Sequence, residues 1–273
     1  MEKTGFMKWF CAFSAALLCA RTPVFAESDG MRVTLDGADY PGEVRLMEDT
    51  AYVALREFCK AADTCVIEWN ADGHFADVTT ADLSLTASPD SRILEANGRM
   101  LWCPNGIFED GGTLYIPLRQ LSEAFGFSCT YLPDEHCAAL TRMQPAIPAP
   151  EYGEDAVYWL SKIIEAESGG ESFSGKLAVG SVILNRVASD EFPDTIYGVI
   201  FDTQNGVQFT PTANGMIWGD PGEDSIRAAM VCLENPTLSP DALYFINADL
   251  ATNLWVPQTC TYLFSIGCHD FYK

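Results

Sequence analysis

Residues 175–189, GKLAVGSVILNRVAS, are apolar around almost the whole circumference of a helix. A surface helix keeps a polar side toward water, and this segment has none to offer, so other elements must cover it. It predicts the buried centre of a helical domain, with Gly180 and Ser181 leaving room for a neighbouring helix. Upstream, Val157, Leu160, Ile163 and Ile164 fall at helical spacing, and Glu167 continues their face. Glu165, two residues earlier, lies about 200° around the helix. It shares its side with Ser161 and Lys162 and is expected in solvent. Gly169-Gly170 should end this helix, with Glu171 beyond the turn.

The three acids are therefore not equivalent. Glu167 sits on the apolar face at a helix C-terminus, where partial desolvation and the negative end of the helix dipole both favour its neutral form. A carboxylic acid that stays protonated near neutral pH can protonate a glycosidic oxygen. Position alone leaves a capping or ion-paired glutamate open. Asn185 and Arg186 end the apolar helix; Arg186 reads either as a helix-terminal charge or as a group that orients a site. The polar stretch FDTQNGVQFTPTANGMIWGDPGED carries Gln208, Phe209 and Trp218, a mixture of amide and aromatic groups suited to carbohydrate, though equally the content of a surface loop with a few anchors. DSIRAAMVCLE predicts another helix, and ALYFINA and YLFSIGCHDFYK predict strands or extended segments. His269 has no Gly-x-Ser-x-Gly or comparable nucleophile motif to complete a triad.

The first half follows a different pattern. TAYVALREFCKAADTCVIEWNADGHFADVT aligns with TLYIPLRQLSEAFGFSCTYLPDEHCAALT. Each copy predicts a strand entering Leu-Arg, one amphipathic helix and a hairpin, turning at residues 70–73 or 133–135. His74 and His136 fall on these hairpins as surface or structural residues. MQPAIPAPEYGED follows, and its prolines favour an extended spacer. The fold class is α+β: residues 27–142 form a repeated strand–helix–hairpin domain, 143–153 a Pro-rich linker, and 154–273 a mostly helical domain with a small β region. Residues 1–26 read as a signal peptide, with Val24-Phe25-Ala26 at the cleavage site.

The net charge is −22, and −24 once the leader's +2 is set aside. Such a chain is unsuited to nucleic acid, which draws on clustered Lys and Arg. Outside the leader, eight cysteines suggest disulfides in an exported protein. Spacing favours Cys129–Cys137 and Cys260–Cys268, with Cys59–Cys65 also expected. Neither Cys-x-x-Cys nor His-rich spacing suggests zinc, and no cofactor is expected.

Two resemblances sharpen this reading. YIPLRQLSEAFGF, with YVALREFCKAA as its weaker copy, resembles the non-catalytic module named after the N-terminal domain of copper amine oxidases, over most of residues 32–142. It implies neither copper nor oxidase activity. Residues 157–273 resemble the SleB/CwlJ family of bacterial cell wall hydrolases, which includes spore-cortex-lytic enzymes, through AESGGESFSGKLAVGSVILNRV, FPDTIYGVI, QFTPTANGMIW, ALYFIN and IGCHDFYK. The resemblance implies a lysozyme-like domain acting on peptidoglycan, with Glu167 as the catalytic acid. Gly169 replaces the arginine that many members carry before Gly-Glu. Glu171, Asn185, Gln208, Phe209, Thr210, Trp218, Tyr244, Asn247 and His269 are the expected substrate contacts. With one acid the expected reaction is lytic transglycosylation; a hydrolytic muramidase using Glu171, an N-acetylmuramoyl-L-alanine amidase and a non-catalytic wall-binding protein are the alternatives. The expected location is extracellular or wall-associated.

Overall fold

The computed structural model describes residues 30–204, 206–234, 241–247 and 255–273, so the expected leader lies outside the described residues. In the first half, β1 (Arg32–Leu35), β2 (Ala38–Asp39), β3 (Val44–Met47) and β4 (Thr50–Ala54) lead into α1 (Leu55–Ala62). The strands β5 (Val66–Asn70), β6 (Phe75–Thr79), β7 (Ser84–Ala87), β8 (Ile93–Ala96) and β9 (Arg99–Trp102) form one antiparallel sheet in that order. Then β10 (Phe108–Asp110) and β11 (Thr113–Pro117) lead into α2 (Leu118–Ala124), followed by β12 (Phe127–Leu132) and β13 (Cys137–Arg142).

Each helix starts where a strand ends at Leu-Arg. The two feeding strands pair antiparallel, with Val53 opposite Ile116 at the centre. This places α1 and α2 over one core, where Phe58 meets Phe125 and Phe127 edge-on at 5.4 and 6.4 Å. Both hairpin histidines take left-handed backbone, φ 55° at His74 and 48° at His136. Each turns its ring edge-on to an aromatic of its own hairpin, Trp69 or Tyr131.

The proline-rich segment forms neither helix nor strand, and it is docked rather than loose. Ile147 is buried. The Asn97 amide donates to the Ile147 carbonyl at 2.7 Å, and Arg99 Nε donates to the Pro148 carbonyl at 2.7 Å.

In the second half, α3 (Glu154–Ser168) and α4 (Phe173–Val187) form a helical hairpin. Next come α5 (Ile196–Ile200), α6 (Thr210–Asn214), a 3-10 turn at Met216–Trp218 and α7 (Glu223–Glu234). The chain ends with β14 (Tyr244–Asn247), α8 (Trp255–Thr259), β15 (Tyr262–Ile266) and β16 (His269–Tyr272), the strands forming a sheet with β16 in the middle. As its composition requires, α4 is buried along most of its length, and α3 and α7 both pack on it. Gly180 makes this possible: a Cβ there would stand 2.9 Å from Ile164 Cδ1 on α3 and 2.8 Å from Cys232 Sγ on α7.

The halves share apolar contacts. Ile93 and Met100 are buried in the same core as Leu160, Ile163 and Val231. Trp102 stacks on Phe173, the first residue of α4, at 5.8 Å. Arg99 pairs with Glu234 at 2.7 Å, where the Glu234 side chain is only 4% exposed.

Strand register separates the cysteines of two of the expected disulfides. Cys129 lies opposite Leu140 and Cys137 opposite Leu132, so three residues of strand, roughly 10 Å, separate them. Cys260 precedes the β15–β16 hairpin and Cys268 sits in its turn, so the length of the hairpin lies between them. Neither pair meets the Cα separation of about 4.4–6.8 Å that a disulfide needs. Cys65 does lie near Cys59, with its sulfur 3.5 Å from the Cys59 carbonyl oxygen.

Candidate active site

Glu167 is in the last turn of α3, partly exposed where the apolar stripe of that helix runs out. Among the described residues, no group hydrogen-bonds or ion-pairs with its carboxyl. Burial without a partner penalises the carboxylate and pushes the acid up to about 7.

Glu165 is not the solvated acid expected from its helix face. Its Oε2 accepts from Ser225 Oγ at 2.6 Å and from the Gly222 N–H at 3.1 Å. It therefore satisfies donors at the start of α7 and is held below the usual carboxylate range, first by the Ser225 hydrogen bond. The rest of that supposed polar face is also covered, with Ser161 and Lys162 both buried. Lys162 Nζ donates to the Gly219 carbonyl at 2.8 Å and to the Trp218 carbonyl at 3.4 Å.

Glu171 follows the Gly169-Gly170 turn and is committed to the β15–β16 hairpin. Its Oε1 accepts from the Cys268 N–H at 3.2 Å and lies 3.7 Å from His269 Nδ1. Gly267, at φ 58°, lets the hairpin turn come against this carboxylate; a Cβ there would overlap Glu171 Oε2. His269 is buried, and burial lowers its pKa. Its Nδ1 has no hydrogen-bond partner.

The remaining expected contacts divide into separate places. Arg186 is buried, donates from Nε to the Leu243 carbonyl at 2.7 Å and approaches Gln208 Oε1 at 3.5 Å. Its guanidinium lies 4.8, 5.1 and 5.3 Å from the ring centres of Phe192, Phe209 and Tyr244. Burial lowers its pKa to about 10, still cationic at neutral pH. Asn185 donates to the Ala242 carbonyl at 2.9 Å. Asn247 pairs with His269 across β14 and β16. Thr210 opens α6 and is exposed, as is Trp218. Phe209 and His269 are buried, at 3% and 8% exposure. Sequence reasoning also missed Lys162, because its partners are carbonyls more than fifty residues away.

A helical domain whose Glu167 carboxyl is unpartnered among the described residues and raised toward neutrality is equipped for acid catalysis. Comparison with known proteins agrees with that class. Residues 170–272 match the profile described as Cell Wall Hydrolase, and residues 26–136 match that of the copper amine oxidase N-terminal domain. The spore cortex-lytic enzyme of Oceanobacillus iheyensis is 35% identical over 130 residues, 47% of this chain and 46% of that one. That of Bacillus subtilis is 34% identical over 139 residues, 49% of this chain and 43% of that one. The chain thus spans about half the length of the curated relatives it matches. The solved catalytic domain of the germination-specific lytic transglycosylase SleB from Bacillus anthracis is 37% identical, with a TM-score of 0.41 over 46% of this chain and all of that one. The second half of the chain thus carries a region similar to cell wall hydrolases, and the first half one similar to the copper amine oxidase N-terminal domain. Glu167 stands three residues ahead of the matched range.

Proposed function

We propose that this protein cleaves the glycan strand of peptidoglycan by lytic transglycosylation, with Glu167 as acid and then base. The observation that carries the reading is the division of labour among the three glutamates. Glu165 and Glu171 are occupied by backbone N–H groups of other elements, and Glu167 alone is unpartnered and raised toward neutrality. In this mechanism the protonated Glu167 gives its proton to the glycosidic oxygen as the bond to muramic C1 breaks. The resulting carboxylate then takes the proton of the muramic 6-hydroxyl as that oxygen bonds to C1. The product carries an anhydro end, the acid is regenerated, and no second carboxyl is required, unlike two-carboxylate hydrolysis.

On this reading Asn185, Gln208, Thr210, Trp218, Tyr244 and Asn247 contact substrate, while Glu171 and His269 shape the wall of the site. The two strand–helix–hairpin segments are copies of one unit that accompanies a lysozyme-like domain. The domain limits are 27–142 and 154–273, and the protein is exported to act in the wall. Among the described residues no helix is long and apolar enough to cross a membrane. The names of the curated relatives favour spore cortex as the substrate.

The test is product analysis by mass spectrometry after incubation of residues 27–273 with purified peptidoglycan, with and without muramic lactam. Anhydromuramic ends are the expected result. Reducing ends would replace the mechanism with hydrolysis and make Glu171 the next residue to mutate; an absence of fragments would leave a wall-binding protein.

A further inference from the structure

Trp159, on α3, stands at the centre of an aromatic cluster that the acid chemistry does not use. Its indole meets Tyr158, Tyr197, Phe201 and Trp218 at centroid distances of 5.0, 5.0, 5.5 and 5.9 Å. Three of these rings face solvent: Tyr158 is 47%, Tyr197 52% and Trp218 60% exposed, with Met216 beside them at 58%. They come from α3, α5 and the 3-10 turn, so the fold assembles them from distant parts of the chain. Several large rings gathered in water mark an interaction site more often than an accident of the surface.

The cluster is also supported from below. Lys162 is 5% exposed, and its ammonium lies 5.1 Å from the centre of the Tyr158 ring. The same ammonium holds the Trp218 and Gly219 carbonyls and approaches Asp220 Oδ1 at 3.4 Å. Burying an ammonium costs several kcal/mol unless partners replace its water. Here the replacements are the carbonyls that close the turn presenting Trp218. One buried charge thus fixes two of the exposed rings, which is the support a precise recognition surface needs.

We propose that Tyr158, Tyr197 and Trp218 form a distal subsite for the glycan strand, remote from the bond that is cut. This rests on the glycan-cleaving reading above. Sugar rings present apolar C–H faces, and acetamido groups present methyls; both stack on aromatic faces, while tyrosine hydroxyls hydrogen-bond the sugar edges. Asp155, Asp194 and Asp220, exposed and adjacent in sequence to the platform elements, disfavour an anionic partner and can accept from sugar hydroxyls. Trp159 and Glu167 are eight residues apart on one helix, roughly 12 Å along its axis. Tyr158, nine residues from Glu167, lies about 180° around the helix from it, so a strand cut at the acid has to pass around α3 and reaches the rings several sugars on. The enzyme therefore favours long strands over fragments too short to reach the rings.

The test compares kcat/KM of Tyr197→Ala on long peptidoglycan strands and on a muramic-acid-containing tetrasaccharide. Tyr197 is half exposed, so its loss spares the core. About a ten-fold loss is expected on long strands, as for truncating an aromatic anchor, with a smaller loss on the tetrasaccharide. Tyr197→Phe, which keeps the ring face, should recover most of the long-strand rate. Binding of Glu167→Gln protein to insoluble peptidoglycan should weaken when Tyr197→Ala is added. Equal losses at both lengths, or none, with a parent enzyme that cleaves normally, would overturn the platform alone. A parent chain that neither binds nor cleaves would overturn the platform and the glycan reading together.

Discussion

Glu165 and Glu167, two residues apart on α3, are held in opposite protonation tendencies by the elements that pack around them. Glu165 receives a hydroxyl and a backbone N–H from the start of α7, which favour its charge. Glu167 receives no partner among the described residues and is desolvated, which favours its neutral form, with a pKa of about 7. Catalysis that starts with proton donation therefore requires pH near or below this value. Lytic activity should decline as pH rises through about 7, and the measurement is the pH dependence of kcat on soluble glycan. A rate that stays flat from pH 6 to 9 would remove Glu167 from the acid role.

Glu167→Gln should abolish lysis and at the same time stabilise the fold. The folded pKa is raised above the unfolded value, about 4.3. Between these values the unfolded chain ionises while the folded acid remains protonated, so stability falls as pH rises from about 4.5 to about 7. Glutamine does not titrate. The thermal midpoint of the variant should match the parent near pH 4, exceed it increasingly up to about pH 7, and hold that gain above.

Gly267→Ala should loosen the hairpin from Glu171. The backbone there is left-handed, which costs an L-residue about 1–2 kcal/mol, and the added methyl would overlap the carboxylate. Thermal denaturation should show a loss of at least this size. Shortening the partner with Glu171→Ala removes the clash, so the double variant should lose less than the sum of the two single losses.

Arg99→Ala should destabilise the whole chain rather than the first half alone. It strands Glu234, whose side chain is 4% exposed, at the seam between the halves. Removing one member of a buried pair costs on the order of 3–5 kcal/mol. Denaturant unfolding checks this, and Arg99→Ala combined with Glu234→Gln should recover much of the loss. A change under about 1 kcal/mol would mean that the pair contributes little.

Thiol chemistry separates spacing from geometry. Intact mass after alkylation in denaturant should show at most one of the three expected bridges, Cys59–Cys65, and neither Cys129–Cys137 nor Cys260–Cys268. A Cys260–Cys268 bridge would require the hairpin to be misregistered.

Much of this protein was determined locally. The apolar run of residues 175–189 had to be a buried helix because no side of it suits water, and Glu167 followed from its place one turn beyond Ile163 and Ile164. The strand–Leu-Arg–helix pattern located α1 and α2 because alternation and helical periodicity are properties of short windows. Tertiary structure alone decided what depends on partners far along the chain. Glu165 is a capping acceptor because Ser225, sixty residues on, reaches it. Lys162 is buried because the carbonyls that replace its water belong to a turn near residue 218. Phe209 packs beside the Arg186 guanidinium, and Cys129 and Cys137 are separated by strand register. The proline-rich segment is docked because Asn97 and Arg99 meet its carbonyls. Hydrogen-bond satisfaction and desolvation are settled by whichever groups the fold brings together, and a window of sequence does not contain them.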